Sequence, residues 1–368
     1  MGNINDSLRQ TLRFERPDTI CQFEWGYWRE TLQRWRNEGM PAREPWDATG
    51  ITFYDRVPVQ TRIFPTFETA ILSQTTETQT VRGADGVTSE VPANGATRLP
   101  RFIRHPVENL RDFEALKERL DPRDARRFPA DWPQQVRKTH RRNHVLVMGG
   151  TEISFFGWAR DLVGVENLLL AFYDQPELIQ AINRHQLYFI KELYSKILRD
   201  GVHFDFIFCW EDMSYKNGPL ISPALVREFM LPYYRELIGF FREINGRRHK
   251  FLLDSDGDVL QLIPLFHEVG IDGILPFEVA AGMDIVKIAE RFPDMIIAGG
   301  IDKREIAKGP AAIDRELQAK LPPLFRRGGY LPSMDHHVPP EVGYADFRHY
   351  IARVQELYAK YGRGSYYA

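Results

Sequence analysis

Short apolar runs alternate along this chain with long amphipathic stretches. The runs Thr19–Glu24, His144–Gly149, Phe204–Cys209, Lys250–Leu253, Gly273–Pro276, Met295–Ala298 and Tyr330–Pro332 have the length and character of buried strands. Helical periodicity fills most of the intervals, most clearly at Gln175–Arg199 and Pro223–Ile244. The second of these opens with Ser222 as a capping residue and Pro223 at the first helical position, where a missing N–H is harmless. Strand–helix repetition predicts a parallel sheet. Seven or eight such units in 368 residues predict an α/β fold, a (β/α)8 TIM barrel formed as one domain over 1–368. An open doubly wound sheet is the alternative.

One region departs from that alternation. The stretch ETQTVRGADGVTSEV reads as two alternating strands around Ala84-Asp85-Gly86, with an Asp-Gly turn signal. A β-hairpin excursion over about 65–105 is therefore expected near one end of the barrel, after an N-terminal extension. Pro122–Pro133 reads as an irregular charged connection.

Composition narrows the function classes. The chain is 43% hydrophobic, enough for a substantial core, and its formal net charge is -2. Nothing in that balance draws it to nucleic acid or to an anionic membrane. Two cysteines, Cys21 and Cys209, exclude a disulfide framework and an all-cysteine zinc site. The start, MGNINDSLRQTLRFERPD, is polar and lacks the apolar segment of a signal peptide, so a cytoplasmic location is expected. A homodimer is one admissible assembly.

The chemistry concentrates at strand ends. The run Phe251–Leu253 ends in Asp254 and Asp256, and residues two apart on an extended strand share a face. Both carboxylates can therefore enter one pocket at the C-terminal end of a buried strand, where α/β barrels build their sites. Capping the helix expected near Asp258 is the alternative role for either of them. Other strand ends carry Glu152, Glu211 with Asp212, Glu278, Asp302, and Asp335-His336-His337. Gathering like charges at one barrel mouth is costly unless a cation, protonation or basic substrate groups offset it. Asp254, Asp256 and His336 offer two oxygens and an imidazole nitrogen, which suit zinc or a harder divalent metal, with Glu278 or Asp212 completing the shell. The alternatives are pairing with Arg or Lys and helix capping.

His336, Asp212 and Glu278 are the candidates for catalysis. Because neighbours on an extended chain face opposite ways, only one of His336 and His337 is expected in the pocket. Trp25, Tyr27 and Trp28, with Glu152, are the candidates for substrate binding; the aromatic cluster fits a flat apolar ligand or core packing equally. Gly149-Gly150, Gly299-Gly300 and Gly328-Gly329 match no nucleotide-binding pattern and read as tight turns at strand ends. No nucleophile elbow or Ser–His–Asp order is present.

At these residues the chain resembles the uroporphyrinogen decarboxylase superfamily, which includes corrinoid-dependent methyltransferases. The resemblance runs from FERPDTICQFEWGYWRETLQRW through WEDMSYKNGPLISP and is clearest in FLLDSDGD, LPFEVAAGMD, GGIDKREIAKG and GGYLPSMDHHVPPEV. It implies a barrel with a deep pocket at the C-terminal strand ends. In the decarboxylases an N-terminal arginine-bearing segment holds substrate carboxylates; here that segment is EWGYWRE, with Arg29 alone nearby. Their FSDI-like aspartate has no counterpart near Glu77-Thr78-Gln79, while their late histidine corresponds to His336. In the zinc methyltransferases a His-x-Cys pair and a later Cys bind the metal; the pair falls on Asp254 and Asp256, the later Cys near His336. The resemblance thus implies a metal-dependent methyltransferase or demethylase, with zinc as the divalent metal. It would pass a methyl group from a small O- or N-methyl donor to a corrinoid on a partner protein. Decarboxylation of uroporphyrinogen or a related polycarboxylate, and a non-catalytic tetrapyrrole- or corrinoid-binding barrel, are the other readings.

Overall fold

The computed structural model describes residues 4–94, 100–244 and 249–362. In chain order its strands are β1 (Tyr54–Asp55), β2 (Ala70–Gln74), β3 (Thr78–Arg82), β4 (Thr88–Pro92), β5 (Arg101–Arg104), β6 (Val145–Gly150), β7 (Phe206–Trp210), β8 (Ser214–Tyr215), β9 (Gly218–Pro219), β10 (Phe251–Asp254), β11 (Gly273–Leu275), β12 (Ile296–Ala298) and β13 (Tyr330–Leu331). Seven of them form one sheet in the order β1-β6-β7-β10-β11-β12-β13. Every pairing in it is parallel, as where Leu252 faces Phe208 on one side and Gly273 on the other. The sheet curls as a half-barrel.

Alternation along each strand divides the apolar residues into two layers. Val145, Val147, Phe206, Phe208, Leu252, Leu275, Ile296, Ala298 and Leu331 point to the concave side and pack together. Leu146, Met148, Ile207, Cys209, Phe251, Leu253, Ile274 and Ile297 point outward, against the helices. Burial on both faces explains why these strands are almost wholly apolar. The helix Ile4–Leu12 closes the floor of the concave side: Leu8 and Leu12 join the inner layer and are buried. Arg9 fixes that helix to Asp205, at the N-terminal edge of β7, at 3.0 Å.

The expected first strand, Thr19–Glu24, is not a strand. Cys21 and Phe23 still join the inner layer, but the segment makes single bonds, not a ladder. Gln22 O accepts from Thr52 N at 2.7 Å, and Glu24 accepts from Met334 N at 3.0 Å. The segment thus reaches both the β1 and the β13 sides of the curled sheet. The sheet's actual first strand, Tyr54–Asp55, has two residues, too few to carry a periodic signal.

The helix Pro176–Arg199 forms as the periodicity predicts, with Pro176 at its start. The predicted helix Pro223–Ile244 is two helices, Pro223–Phe229 and Leu231–Ile244. Met230, at φ −121°, breaks the ladder just before Pro232, which has no N–H to donate. Ser222 caps the first helix, accepting from Leu225 N at 3.3 Å.

Strands β2 to β5 form a separate antiparallel sheet in sequence order. Its β3–β4 turn carries Gly86 at φ +85°, and Asp85 Oδ1 accepts from Val87 N at 3.0 Å. Residues 95–99 of the expected excursion lie outside the described residues. No helix among the described residues is long and apolar enough to cross a membrane.

Candidate functional site

The C-terminal ends of β7 and β10 and the bend after β13 open onto a cavity of about 370 Å3. Asp254, Asp256, Asp212, His336, His337 and Trp25 line it. Asp254 is the last residue of β10, and Asp256 lies two positions on, so the expected shared orientation of the carboxylates holds. Neither caps a helix; the next one begins at Ile263, and Asp258 serves the turn before it through Leu260 N at 3.0 Å. An adjoining cavity of about 430 Å3 shares Asp212 and Asp256 and adds Glu278.

The electrostatics of this mouth follow from crowding. Burial pushes the Asp254 carboxyl well above the usual range, and the charges of Asp256, Asp212 and Glu278 add to the shift. Glu278 is raised in the same way, by burial and then by Asp256. His336 is the counterweight: its Nε2 lies 3.4 Å from Asp256 Oδ2. That contact holds its pKa above the ordinary histidine range, against the opposing effect of burial. His337, whose ring centre is 4.9 Å away, is lowered by burial and by the charge on His336. The mouth thus shifts Asp254 toward its acid form, His336 toward imidazolium and His337 toward the neutral imidazole.

Backbone contacts lock the strand ends together. Glu211 N and Asp212 N both donate to Asp254 O, at 2.9 and 3.1 Å. Asp212 sits at φ +41°, a costly conformation for a residue with a Cβ. Arg160 holds it there, donating from Nη1 to its carbonyl at 2.7 Å and its carboxylate at 2.5 Å. The same guanidinium lies 5.1 Å from the centre of the Trp210 ring. Glu211 turns away from the cavity. It is buried, its pKa is raised by burial to about 7, and it accepts from Phe155 N, Gly157 N and the Tyr234 hydroxyl.

Asp335, between Met334 and His336, is buried and anchors the bend through Val279 N at 3.0 Å and Lys303 Nζ at 3.1 Å. Both histidines therefore enter the cavity, contrary to the expectation that only one would. Residues 335–337 form a bend, so alternation along a strand does not apply to them. The glycine pairs behave as strand-end turns. A Cβ at Gly149 would stand 2.2 Å from Phe208 O, and one at Gly299 would stand 2.2 Å from Pro276 O.

Of the residues expected to bind substrate, Trp25 lines the cavity and the others do not. Tyr27 packs in the core, its ring centre 5.4 Å from Trp35 and 6.0 Å from Phe347. Trp28 is 48% exposed, and Arg29 starts a helix on the surface. Glu152 Oε1 accepts from Thr61 Oγ1 at 3.1 Å. Sequence reasoning missed Tyr54, Arg56, Phe208 and Trp210 as cavity walls. Phe208 and Trp210 were legible, since Phe206, Phe208 and Trp210 lie on one face of β7. Arg56 follows a two-residue strand and carried no pattern; its Nε donates to Gly149 O at 2.8 Å.

The metal expectation meets a different arrangement. Asp254, Asp256 and His336 share the cavity, but among the described residues no three His, Cys, Asp or Glu side chains gather around one point that could hold an ion. His336 is turned on Asp256 itself, at 3.4 Å. As they stand, these side chains do not fit a zinc shell.

Residues 80–357 match the profile of the family described as uroporphyrinogen decarboxylase (URO-D). The chain is 27% identical over 273 residues to the uroporphyrinogen decarboxylase of Pseudomonas paraeruginosa (strain DSM 24068 / PA7), covering 71% of this chain and 72% of that one. It is 28% identical over 146 residues to the uroporphyrinogen decarboxylase of Pseudomonas syringae pv. tomato (strain ATCC BAA-871 / DC3000), covering 39% and 40%. In structure it is similar to a methyltransferase from Methanosarcina mazei, with a TM-score of 0.57 and 15% identity, over 97% of this chain and all of that one. That likeness concerns the fold.

Proposed function

Since the chain belongs to the uroporphyrinogen decarboxylase family, we propose that it is an enzyme of the methyltransferase branch. It transfers a methyl group from an O- or N-methyl donor to a corrinoid carried by a partner protein. The observation that carries this reading is the lining of the cavity, rich in carboxyl groups and poor in arginine and lysine. Asp212, Asp254 and Asp256 line it and Glu278 adjoins it. Arg56 is the cationic side chain among the cavity's lining residues that is not a histidine, and it is engaged with Gly149 O. A porphyrinogen bears several carboxylates and needs several cations to hold them; beside the histidines this wall supplies Arg56 alone.

A reduced corrinoid supplies the nucleophile that takes the methyl group. The chain's own side chains serve the other end of the breaking bond. The methyl–oxygen electron pair stays on oxygen, and an alkoxide or phenoxide leaves poorly unless it receives a proton. His336 supplies that proton from Nδ1, its Nε2–H being held toward Asp256 Oδ2, whose contact favours the protonated ring. Asp254, which burial and its neighbouring carboxylates shift toward the acid form, donates a hydrogen bond to the same departing atom. The aromatic walls Trp25, Phe208 and Trp210 exclude water and orient the donor.

The second reading is decarboxylation of uroporphyrinogen or a related polycarboxylate, which the names of the Pseudomonas relatives favour. One experiment separates the two. The purified chain is mixed with cob(I)alamin and a panel of methyl ethers and methylamines, and the absorbance change on methylation is followed. Methylation that is lost in His336→Ala supports the first reading. Release of carbon dioxide from uroporphyrinogen, with no methylation, supports the second.

A further inference from the structure

Lys303 lines neither cavity at the barrel mouth, yet three strand ends meet on it. It opens the short helix Lys303–Ile306 after β12, and its side chain is 22% exposed. Its backbone N and its Nζ both donate to Asp335 Oδ1, at 3.3 and 3.1 Å. The other carboxylate oxygen accepts from Val279 N at 3.0 Å, and Asp335 N donates to Ile301 O at 2.8 Å. The same ammonium lies 4.0 Å from Glu278 Oε1, while Glu278 Oε2 accepts from Gly257 N at 3.1 Å. Gly257 is seated against the chain behind it. A Cβ there would stand 2.7 Å from Tyr215 O, which accepts from Asp258 N at 2.9 Å.

Asp335 immediately precedes His336, and Gly257 immediately follows Asp256. The contacts therefore close a ring, which runs from His336 through Asp335, Lys303, Glu278 and Gly257 to Asp256 and returns across the 3.4 Å contact. The His336 and Asp256 side chains are each about one-third exposed, at 33% and 34%, and an ion pair that wet contributes little by itself. Its geometry has to come from the backbone on either side.

We propose that Lys303 is a positioning residue: its ammonium draws Asp335 and Glu278 together and so sets the distance between His336 and Asp256. An ammonium carries three donors and can serve both carboxylates at once. The competing role is neutralisation of buried Asp335 alone, with Glu278 a bystander. The inference rests on the methyl-transfer reading only for its kinetic readout.

Crystal structures and kinetics of Lys303→Met and of the double variant Lys303→Met/Asp335→Asn test it. The double variant leaves no lone buried charge and keeps an acceptor for Val279 N, so its urea midpoint is expected near the parent's even where the single variant folds poorly. In it the separation of His336 Nε2 and Asp256 Oδ2 is expected to widen beyond about 4 Å, the limit of an ion pair. Methylation of cob(I)alamin from the same panel of methyl ethers and methylamines is expected to fall in kcat by about tenfold to a hundredfold with KM little changed, as for a reacting group misplaced by ~1 Å. Lys303→Arg is expected to recover part of that loss. An unchanged separation in the double variant, or parental kcat, overturns the proposal and leaves neutralisation as the role of Lys303. If the parent methylates no corrinoid, the methyl-transfer reading fails, and the separation alone decides: widened, it supports the positioning role; unchanged, it overturns it.

Discussion

His336 Nε2 lies 3.4 Å from Asp256 Oδ2, and this contact favours the protonated form of His336 at the mouth of the cavity. The pair raises the folded-state pKa of His336 above its ordinary value. The acid form is therefore present below that pKa and is lost as pH rises through it. A pH–rate profile is expected to fall on its alkaline side. Asp256→Asn should move that fall to lower pH, read from the profiles of the two proteins. The stability from the pair has the same sign: full below the unfolded histidine pKa and lost as pH rises past the folded one.

Glu24 offers a second test of pH dependence. Burial raises its pKa to about 8, although Met334 N and the Tyr350 hydroxyl donate to it. The folded state binds this proton more tightly than the unfolded one, so stability falls as pH climbs from about 4.5 toward about 8. Glu24→Gln should flatten the melting-temperature curve across that window. A curve as steep as the parent's would show that other groups govern it.

Tyr234→Phe removes the donor to buried Glu211 while keeping the ring. The expected loss is ~1–3 kcal/mol, the cost of leaving a buried acceptor short of a partner. Urea unfolding at pH 7 measures it.

Arg160 links Asp212 to Trp210, both of which line the cavity. Arg160→Ala should lower turnover by about tenfold or more, since hydrogen bonds to charged groups contribute ~1.5–3 kcal/mol. Arg160→Lys should recover only part, because an ammonium cannot lie flat on an indole while bonding a carboxylate. Steady-state rates of the three proteins decide it.

Zinc supplementation followed by dialysis is expected to leave less than one ion per chain, with no difference between the parent and Asp256→Ala. The reason is the donor set, in which His336 is engaged with Asp256. Stoichiometric zinc in the parent, lost in the variant, would show that these side chains regroup around an ion.

Much of this arrangement was legible where repetition was long enough to read. The parallel strands from Val145 to Leu331 announced themselves by apolar runs, and Asp254 with Asp256 by their spacing. The misses share a cause: they depend on contacts remote in sequence. Tyr54–Asp55 is defined as a strand by its pairing with Val145 and Leu146. Thr19–Glu24 is apolar enough for a strand but finds isolated partners instead of a ladder. Tyr27 and Trp25 look alike in sequence; one is claimed by Trp35 and Phe347, the other by the cavity. His337 enters because buried Asp335 bends the chain just before it.

The floor closed by Leu8 and Leu12 makes the concave side of the sheet a blind well. Traffic through a blind well is last in, first out. The molecule that sits deepest must arrive before anything that covers the rim, and it departs only after the cover lifts. For a reaction between a small donor and a bulky protein-borne acceptor, this imposes a compulsory order of arrival. If the proposed transfer to such an acceptor holds, excess acceptor should slow it by sealing empty wells.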